Sequence, residues 1–355
     1  MKPLLSPFLS MNTSLDSDCQ DCAVLAPRSA LDRRRFFRMV GGAAVGSLAS
    51  RFILDEASAA PLRPANHQAK PTEELVREFH ASLNPYQRQE LIFPWNYAGA
   101  GSGPARLGVY NTAIGKAIGE TCTKGQRELV ERIMMSMSSG DDGWRKITRN
   151  GGWDTNDGIL SCGAYIFGDP EGDRKFSFLF TGHHLTMRCD GNSEPNTAFG
   201  GPIFYGHIVN GYSQRNVFNE QTLKVMSVYN ALNADQQKRA VVSGRPPGRN
   251  DTVFYPTGGG ELPGVSGGDL SADQKGLIEG VLRDVLSPYR EEDVAEVMDI
   301  VRANGGMEKI HLAFYRDTET SEKEPWSYWR LEGPGFIWNF RVLPHVHTYV
   351  SVAKV

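Results

Sequence analysis

Apolar residues recur every three or four positions in three long segments of the chain. This spacing places them on one face of a helix and predicts amphipathic helices. The last of the segments ends on Asn304 and Gly305, residue types that commonly terminate a helix. The segments are KGQRELVERIMMSM (124–137), ADQKGLIEGVLRDVL (272–286) and EEDVAEVMDIVRANGG (291–306).

A short pattern with a small polar residue three positions before a glutamine recurs along the chain. It occurs as LNPYQ (83–87), LNADQ (232–236) and LSADQ (270–274), and more weakly as TKGQ (123–126). The small polar side chain can cap the first turn of a helix while the glutamine reaches back to it. We therefore expect a helix to start at each copy. The unequal spacing of successive copies does not fit a solenoid.

Alternating or continuous apolar runs predict strands in two clusters. The first is expected to form one long hairpin from GILSCGAYIFG (158–168) and KFSFLFTGHHLTMRC (175–189). The second comprises 309–316, 325–333, 336–342 and 346–352, with a tight turn at GPG (333–335). Because strands and helices do not alternate regularly, the sequence predicts an α+β fold, with a mainly antiparallel sheet and packed, capped helices.

The first 60 residues resemble a twin-arginine export signal. DRRRFFRMVGGAAVGSLAS (32–50) places paired arginines before a mildly apolar stretch, and ASAAP (57–61) suits a signal peptidase. We expect a signal peptide at 1–60, a proline-containing linker at 61–71 and a single α+β domain at 72–355. The resemblance implies a periplasmic or secreted protein, the twin-arginine translocase as a partner during export, and no stable membrane anchor.

Composition and charge narrow the class of protein. The chain is 40% hydrophobic and 22% charged, as is usual for globular proteins. Residues 61–355 carry a net charge of about −4, so no basic surface for nucleic acid is expected. Cys19 and Cys22 lie in the predicted signal. Cys122, Cys162 and Cys189 remain, and the sequence leaves open whether two of them form a disulfide.

Histidines supply the candidate chemistry. His345 and His347, in LPHVHTYV, are two positions apart, so in a strand they project from one face and can approach one ion. His183 and His184 also lie in a strand-like run, where neighbouring side chains point to opposite faces. At most one of them would then join the pair, and His207 is a weaker candidate.

Three neutral imidazoles around an open position predict a single divalent metal such as zinc, copper or iron. Such a centre could activate water or dioxygen, and we favour hydrolysis because no feature demands redox chemistry. No catalytic side chain is assigned. Arg188, Arg341, Trp326 and Trp329 are candidates for binding a small-molecule, glycan or peptide substrate. The alternative is a metal-free protein that binds a glycan or peptide on its aromatic strands.

Several motifs together resemble a family of exported bacterial proteins, with fungal relatives, that is classed as a domain of unknown function. They are the export signal, the glutamine-containing helix starts, FLFTGHHLTM and the closing PHVHT. The tryptophan that often precedes the Gly-His-His-Leu element in the family is absent from KFSFLF (175–180). The resemblance implies no established chemistry, but it points to His183, His184, His345 and His347.

Overall fold

An eleven-stranded sheet runs through the computed structural model, which describes residues 71–98, 103–171, 174–246 and 262–355. The strands are β1 (Ile92–Phe93), β2 (Gly163–Gly168), β3 (Phe176–Gly182), β4 (Leu185–Cys189), β5 (Ile203–His207), β6 (Val241–Ser243), β7 (Val265–Ser266), β8 (His311–Arg316), β9 (Tyr328–Gly333), β10 (Phe336–Arg341) and β11 (Val346–Val352). The strand order in the sheet is β1-β2-β3-β4-β5-β11-β10-β9-β8-β6, and β7 also pairs with β8. Only β1–β2 and β6–β8 pair in parallel among the described strands, so the predicted α+β class with a mainly antiparallel sheet is confirmed.

The part of the chain that the structure describes contains nine α-helices. They are α1 (Thr72–Ser82), α2 (Pro85–Leu91), α3 (Ile118–Thr121), α4 (Lys124–Ser136), α5 (Gly140–Ile147), α6 (Asn219–Ala231), α7 (Ala234–Ala240), α8 (Ala272–Val285) and α9 (Glu291–Ala303). The three helices predicted from apolar spacing are α4, α8 and α9, and the last ends at Ala303, next to the predicted stop.

All four predicted helix starts are confirmed as capping boxes, at α2, α4, α7 and α8. The glutamines also pair with one another, which the sequence did not reveal. Gln87 and Gln126 each donate to the side-chain oxygen of the other, at 2.8 and 3.0 Å. Gln236 and Gln274 do the same at 3.1 and 2.7 Å. The motif therefore caps its own helix and joins it to a second one.

The topology of the first half of the domain is repeated in the second half. In residues 72–207, two helices lead to a short edge strand, then to further helices and the four strands β2–β5. In residues 219–352, the same order gives α6, α7, β6, α8, α9 and β8–β11. The paired glutamines follow this repeat, since Gln87 and Gln236 are 149 residues apart and Gln126 and Gln274 are 148 apart. The two halves meet where β5 pairs with β11.

The core lies between the helices and the sheet and continues through both halves. Every residue of β3, β10 and β11 is buried, as expected for central strands covered on both faces. Three tryptophans, Trp326, Trp329 and Trp338, have no exposed surface. The β5–β11 junction is therefore deep in the protein, and side chains at its end are shielded from water.

Several sequence-based predictions concern features outside the sheet. The predicted signal peptide and residues 61–70 of the linker lie outside the described residues and remain predictions. Among the residues the structure describes, no helix is long and apolar enough to cross a bilayer. Cys122, Cys162 and Cys189 are all free thiols.

Candidate metal centre

His183 and His184 form the two-residue turn between β3 and β4. The prediction that they lie within a strand is therefore wrong, because Gly182 pairs with Leu185 and the two residues between them leave the ladder. His184 has a left-handed backbone with φ of 55°, a conformation that histidine adopts more often than most residues. The two rings stack, with centroids 4.0 Å apart, instead of pointing to opposite faces.

Contacts from three other segments hold this turn. The backbone N–H of His184 donates to the side-chain oxygen of Asn111 at 2.6 Å. Its carbonyl accepts from the N–H of Gly206 on β5 at 2.9 Å. Arg149 donates to the carbonyl of His183 at 2.6 Å. Because the backbone is fixed on both sides, the position of the buried His184 ring is also fixed.

The start of β11 brings the other two histidines to the same place. His347 pairs with Gly206 of β5 on one side and with Arg341 of β10 on the other. His345 immediately precedes the strand. The Nε2 atoms of His345 and His347 are 2.8 Å apart, and the hydroxyl of Tyr349 contacts Nδ1 of His347 at 3.3 Å. The pair therefore presents two ring nitrogens to one point.

His184, His345 and His347 make a group that could hold a metal ion. One nitrogen from each lies within 4.8 Å of the others, and all three residues are buried. Nitrogens that share an ion at bond lengths of about 2.0–2.1 Å lie about 3 Å apart, so small ring movements would complete the site. The structure thus brings together three of the five predicted ligands.

His183 and His207 lie beside this group, and Asp154 connects them to it. The Asp154 carboxylate contacts Nδ1 of His184 and Nδ1 of His207, each at 2.8 Å, and accepts from the N–H of Ile208 at 3.0 Å. The carbonyl of Asp154 contacts Nδ1 of His183 at 2.6 Å. Asp154 therefore contacts three imidazoles at once, two through its carboxylate and one through its backbone carbonyl.

The surroundings of Asp154 keep it ionised. Burial pushes its pKa upward, but hydrogen bonds from His184 and His207 and the charge of Arg149 outweigh burial and hold the pKa well below its ordinary value. Arg149 lies 3.6 Å from the carboxylate, and its side chain has no exposed surface. A histidine that donates from Nδ1 to a carboxylate carries its lone pair on Nε2, which is the tautomer that binds metals.

His347 is held neutral by its environment. Burial is the largest cause that lowers its pKa well below the usual value, followed by the nearby charge of Arg341. A neutral imidazole keeps the lone pair that coordination requires. The ring of His347 can therefore act as a ligand, and the ionised carboxylate of Asp154 lies behind His184.

The four predicted substrate-binding residues have different positions. Arg341 donates two hydrogen bonds to His345. Arg188 is buried and donates to the carbonyls of Arg106 and Gly108, so it supports a loop. Trp326 and Trp329 are fully buried in the core, which corrects the expectation that they line a binding surface. Burial of their large apolar rings contributes to the stability of the core.

Sequence reasoning missed the residues that surround the histidines, above all Asp154 and Arg149. They lie in a loop after α5 in which Arg149, Asn150, Trp153 and Asp154 all have positive φ. Backbone strain of this kind tends to collect at functional sites. The only signal in the sequence was the concentration of turn-forming residues in NGGWDTNDG (150–158).

The fold and the site define this chain as an α+β protein with a repeated topology and a buried three-histidine cluster near the junction of its halves. It belongs to the family described as a protein of unknown function, DUF3500, which matches residues 65–352. The predicted membership in a family of unknown function is thereby confirmed. No curated protein and no solved structure matches the chain.

Proposed function

We propose that this protein is a metal-dependent enzyme in which His184, His345 and His347 bind one divalent transition metal. The observation that carries the proposal is the convergence of three buried ring nitrogens within 4.8 Å of one another. Three protein ligands with one remaining position are typical of catalytic zinc sites, whereas structural zinc sites use four.

The carboxylate behind His184 supports a metal-binding role. Ligand histidines commonly donate their second ring nitrogen to a carboxylate, which fixes the tautomer and raises the basicity of the ligand. Asp154 makes this contact to His184 at 2.8 Å and remains ionised. Tyr349 contacts Nδ1 of His347 at 3.3 Å and can orient that ring in the same way.

The chemistry that we propose is activation of water for hydrolysis. A bound divalent ion would lower the pKa of a water molecule and polarise a substrate oxygen. The protein would hold the three imidazoles, exclude bulk water by burying them, and place His183 and His207 at the edge of the cluster. The side chain of His207 is 12% exposed. It therefore lies on the side from which a small molecule could enter. Dioxygen activation is the second possibility if the ion is copper or iron.

Metal content of protein purified without a polyhistidine tag tests the proposal. We expect about one equivalent of a transition metal per chain by elemental analysis, and loss of nearly all of it in His347→Ala. His311→Ala is the matched control, because His311 lies on β8 and is not part of the cluster. This variant is expected to retain the metal.

Two results would contradict the proposed metal site. A folded protein that takes up no zinc, copper or iron after dialysis against each metal would contradict the proposal. Equal metal content in His347→Ala and the wild type would also contradict it, because the ion would then be bound elsewhere. Circular dichroism of each variant shows whether the sheet is retained.

A further inference from the structure

Arg341 is a buried cation without an acidic partner. It is 1% exposed, and none of the ion pairs in the described part of the chain includes it. Its hydrogen bonds both go to one residue: Nε donates to the carbonyl of His345 at 3.2 Å, and Nη2 donates to its Nε2 at 3.1 Å. Buried charges are normally paired, because desolvation of an isolated ion is costly.

The other buried arginine at the site shows what is missing. Arg149 lies 3.6 Å from Asp154, which supplies a compensating negative charge. Among the described residues no carboxylate pairs with Arg341, and its side chain donates to His345 instead. The two arginines therefore differ, because Arg149 is paired with a carboxylate whereas Arg341 is hydrogen-bonded to a histidine of the cluster.

Metal coordination would change the contacts of Arg341. Nε2 of His345 is the nitrogen that faces His347, and it accepts the hydrogen bond from Arg341 in this structure. A nitrogen lone pair that binds an ion can no longer accept that hydrogen bond. When a metal is bound, Nη2 of Arg341 would still lie about 3 Å from Nε2 of His345, but it would need a new hydrogen-bond acceptor.

We propose that the metal centre binds a small carboxylate, with one oxygen on the metal and the other on the guanidinium of Arg341. The inference rests on the proposed function and names the class of substrate or product. A carboxylate would supply the missing negative charge and the missing acceptor together. Its two oxygens are separated by about 2.2 Å, which suits a group held between an ion and a guanidinium.

The burial of the site limits the size of this ligand. His184 and His347 have no exposed surface, and His345 is 7% exposed. A polymer chain could not reach the cluster in this conformation, whereas a small acid or a terminal carboxyl group could. Hydrolysis that releases or consumes such a group is therefore the reaction class that the site favours.

Cobalt provides a visible probe for the experiment. The protein is loaded with Co²⁺ and titrated with acetate, and the absorption bands of the bound ion are recorded. We expect saturable changes with acetate and much weaker changes with acetamide, which has a similar shape but no charge. Arg341→Met should weaken acetate binding by at least about tenfold while cobalt affinity stays equal or rises, because a nearby positive charge is removed.

Two further variants make the result decisive. Arg302→Met removes an exposed arginine on α9 and should bind acetate like the wild type. Arg341→Lys keeps the charge but loses the planar pair of donors, so we expect severalfold weaker acetate binding. If Arg341→Met does not fold, Arg341→Lys decides the question.

The possible failures are distinguishable. Absence of cobalt binding in the wild type would overturn the proposed metal centre itself. Cobalt binding with equal acetate affinity in the wild type and the Arg341 variants would overturn only the carboxylate site. Indistinguishable responses to acetate and acetamide would have the same meaning, because the proposed recognition depends on charge.

Discussion

The β3–β4 turn in the first half of the protein and the β9–β10 turn in the second half occupy equivalent places but differ in chemistry. The first turn consists of His183 and His184, and the second of Pro334 and Gly335. A side chain from the loop after a helix holds each of them. Arg149 donates to the carbonyl of His183 at 2.6 Å, and Asn304 donates to the carbonyl of Pro334 at 2.9 Å.

The same loops also hold the ends of the central strands. After β5, Asp154 accepts from the N–H of Ile208 at 3.0 Å. After β11, Asn304 accepts from the N–H of Val355 at 3.2 Å and donates to the carbonyl of Ala353 at 2.8 Å. One neutral asparagine in the second half thus makes the backbone contacts for which the first half uses a buried aspartate and a buried arginine.

This comparison separates architecture from function. A neutral amide is sufficient to join the loop, the turn and the strand end, so the fold does not require charges there. The charged pair in the first half lies beside the histidine cluster, and Asp154 contacts the ring of His184. The two halves thus share a framework, and the first half has charged groups beside the proposed metal site where the second half has a neutral amide.

We expect the largest difference in stability between the two halves when residues of these loops are substituted. Asp154→Asn removes the negative charge beside Arg149 and leaves a buried cation uncompensated, which should lower the free energy of unfolding by about 3–5 kcal/mol. Asn304→Ala, at a half-buried position, removes neutral hydrogen bonds and should cost about 1–2 kcal/mol. Urea unfolding monitored by tryptophan fluorescence measures both values.

Metal must be removed with a chelator in this experiment, so that the comparison reports the protein alone. Equal losses in the two variants would show that the charged pair is no more important than the amide. The proposed specialisation of the first half would then be wrong.

A smaller difference is expected for the paired glutamines. Gln126 is buried and donates to Ser82 and Gln87, so Gln126→Ala should leave buried groups without partners and cost about 2–3 kcal/mol. Gln274 makes the matching contacts to Ala231 and Gln236 but is only half buried. Water can replace its hydrogen bonds, and Gln274→Ala should cost about 1 kcal/mol. Chemical denaturation of both variants under one set of conditions gives the two losses in free energy of unfolding. A larger loss for Gln274→Ala than for Gln126→Ala would contradict this expectation.

The smallest effect concerns pH. Burial and the charge of Arg88 lower the pKa of His80, although Glu171 and Asp169 oppose the shift. Because the pKa of His80 is lower in the native state, the unfolded chain binds more protons at acidic pH. The contribution of His80 to the stability of the fold is therefore fully present above about pH 6.5 and is lost as the pH falls below it. His80→Gln should reduce the loss of stability between about pH 7.5 and about pH 5.5. Tyr229 lies at the matching place on α6 and carries no imidazole, so Tyr229→Phe is the control. Identical pH profiles for His80→Gln and the wild type would show that His80 does not contribute.

Local patterns were sufficient to predict much of the fold. Apolar spacing located α4, α8 and α9, and the pairing of Asn, Ser or Thr with Gln located four helix starts, because capping depends on residues three positions apart. The strand β11 coincides with VHTYVSV (346–352) as predicted. The His183–His184 turn was missed because its flanks are as apolar as the strands, and no glycine or proline occupies its two central positions.

Sequence by itself determined the class of fold, the capped helices and the presence of several histidines in or beside strands, since each of these follows from side chains within a few positions of one another. Only the tertiary structure decided which imidazoles meet. His184 and His347 are 163 residues apart in the chain and become neighbours because β5 pairs with both β4 and β11. Asp154 and Arg341 come to lie beside these histidines in the same way, and a buried charge acquires its effect from the groups that the folded chain places around it.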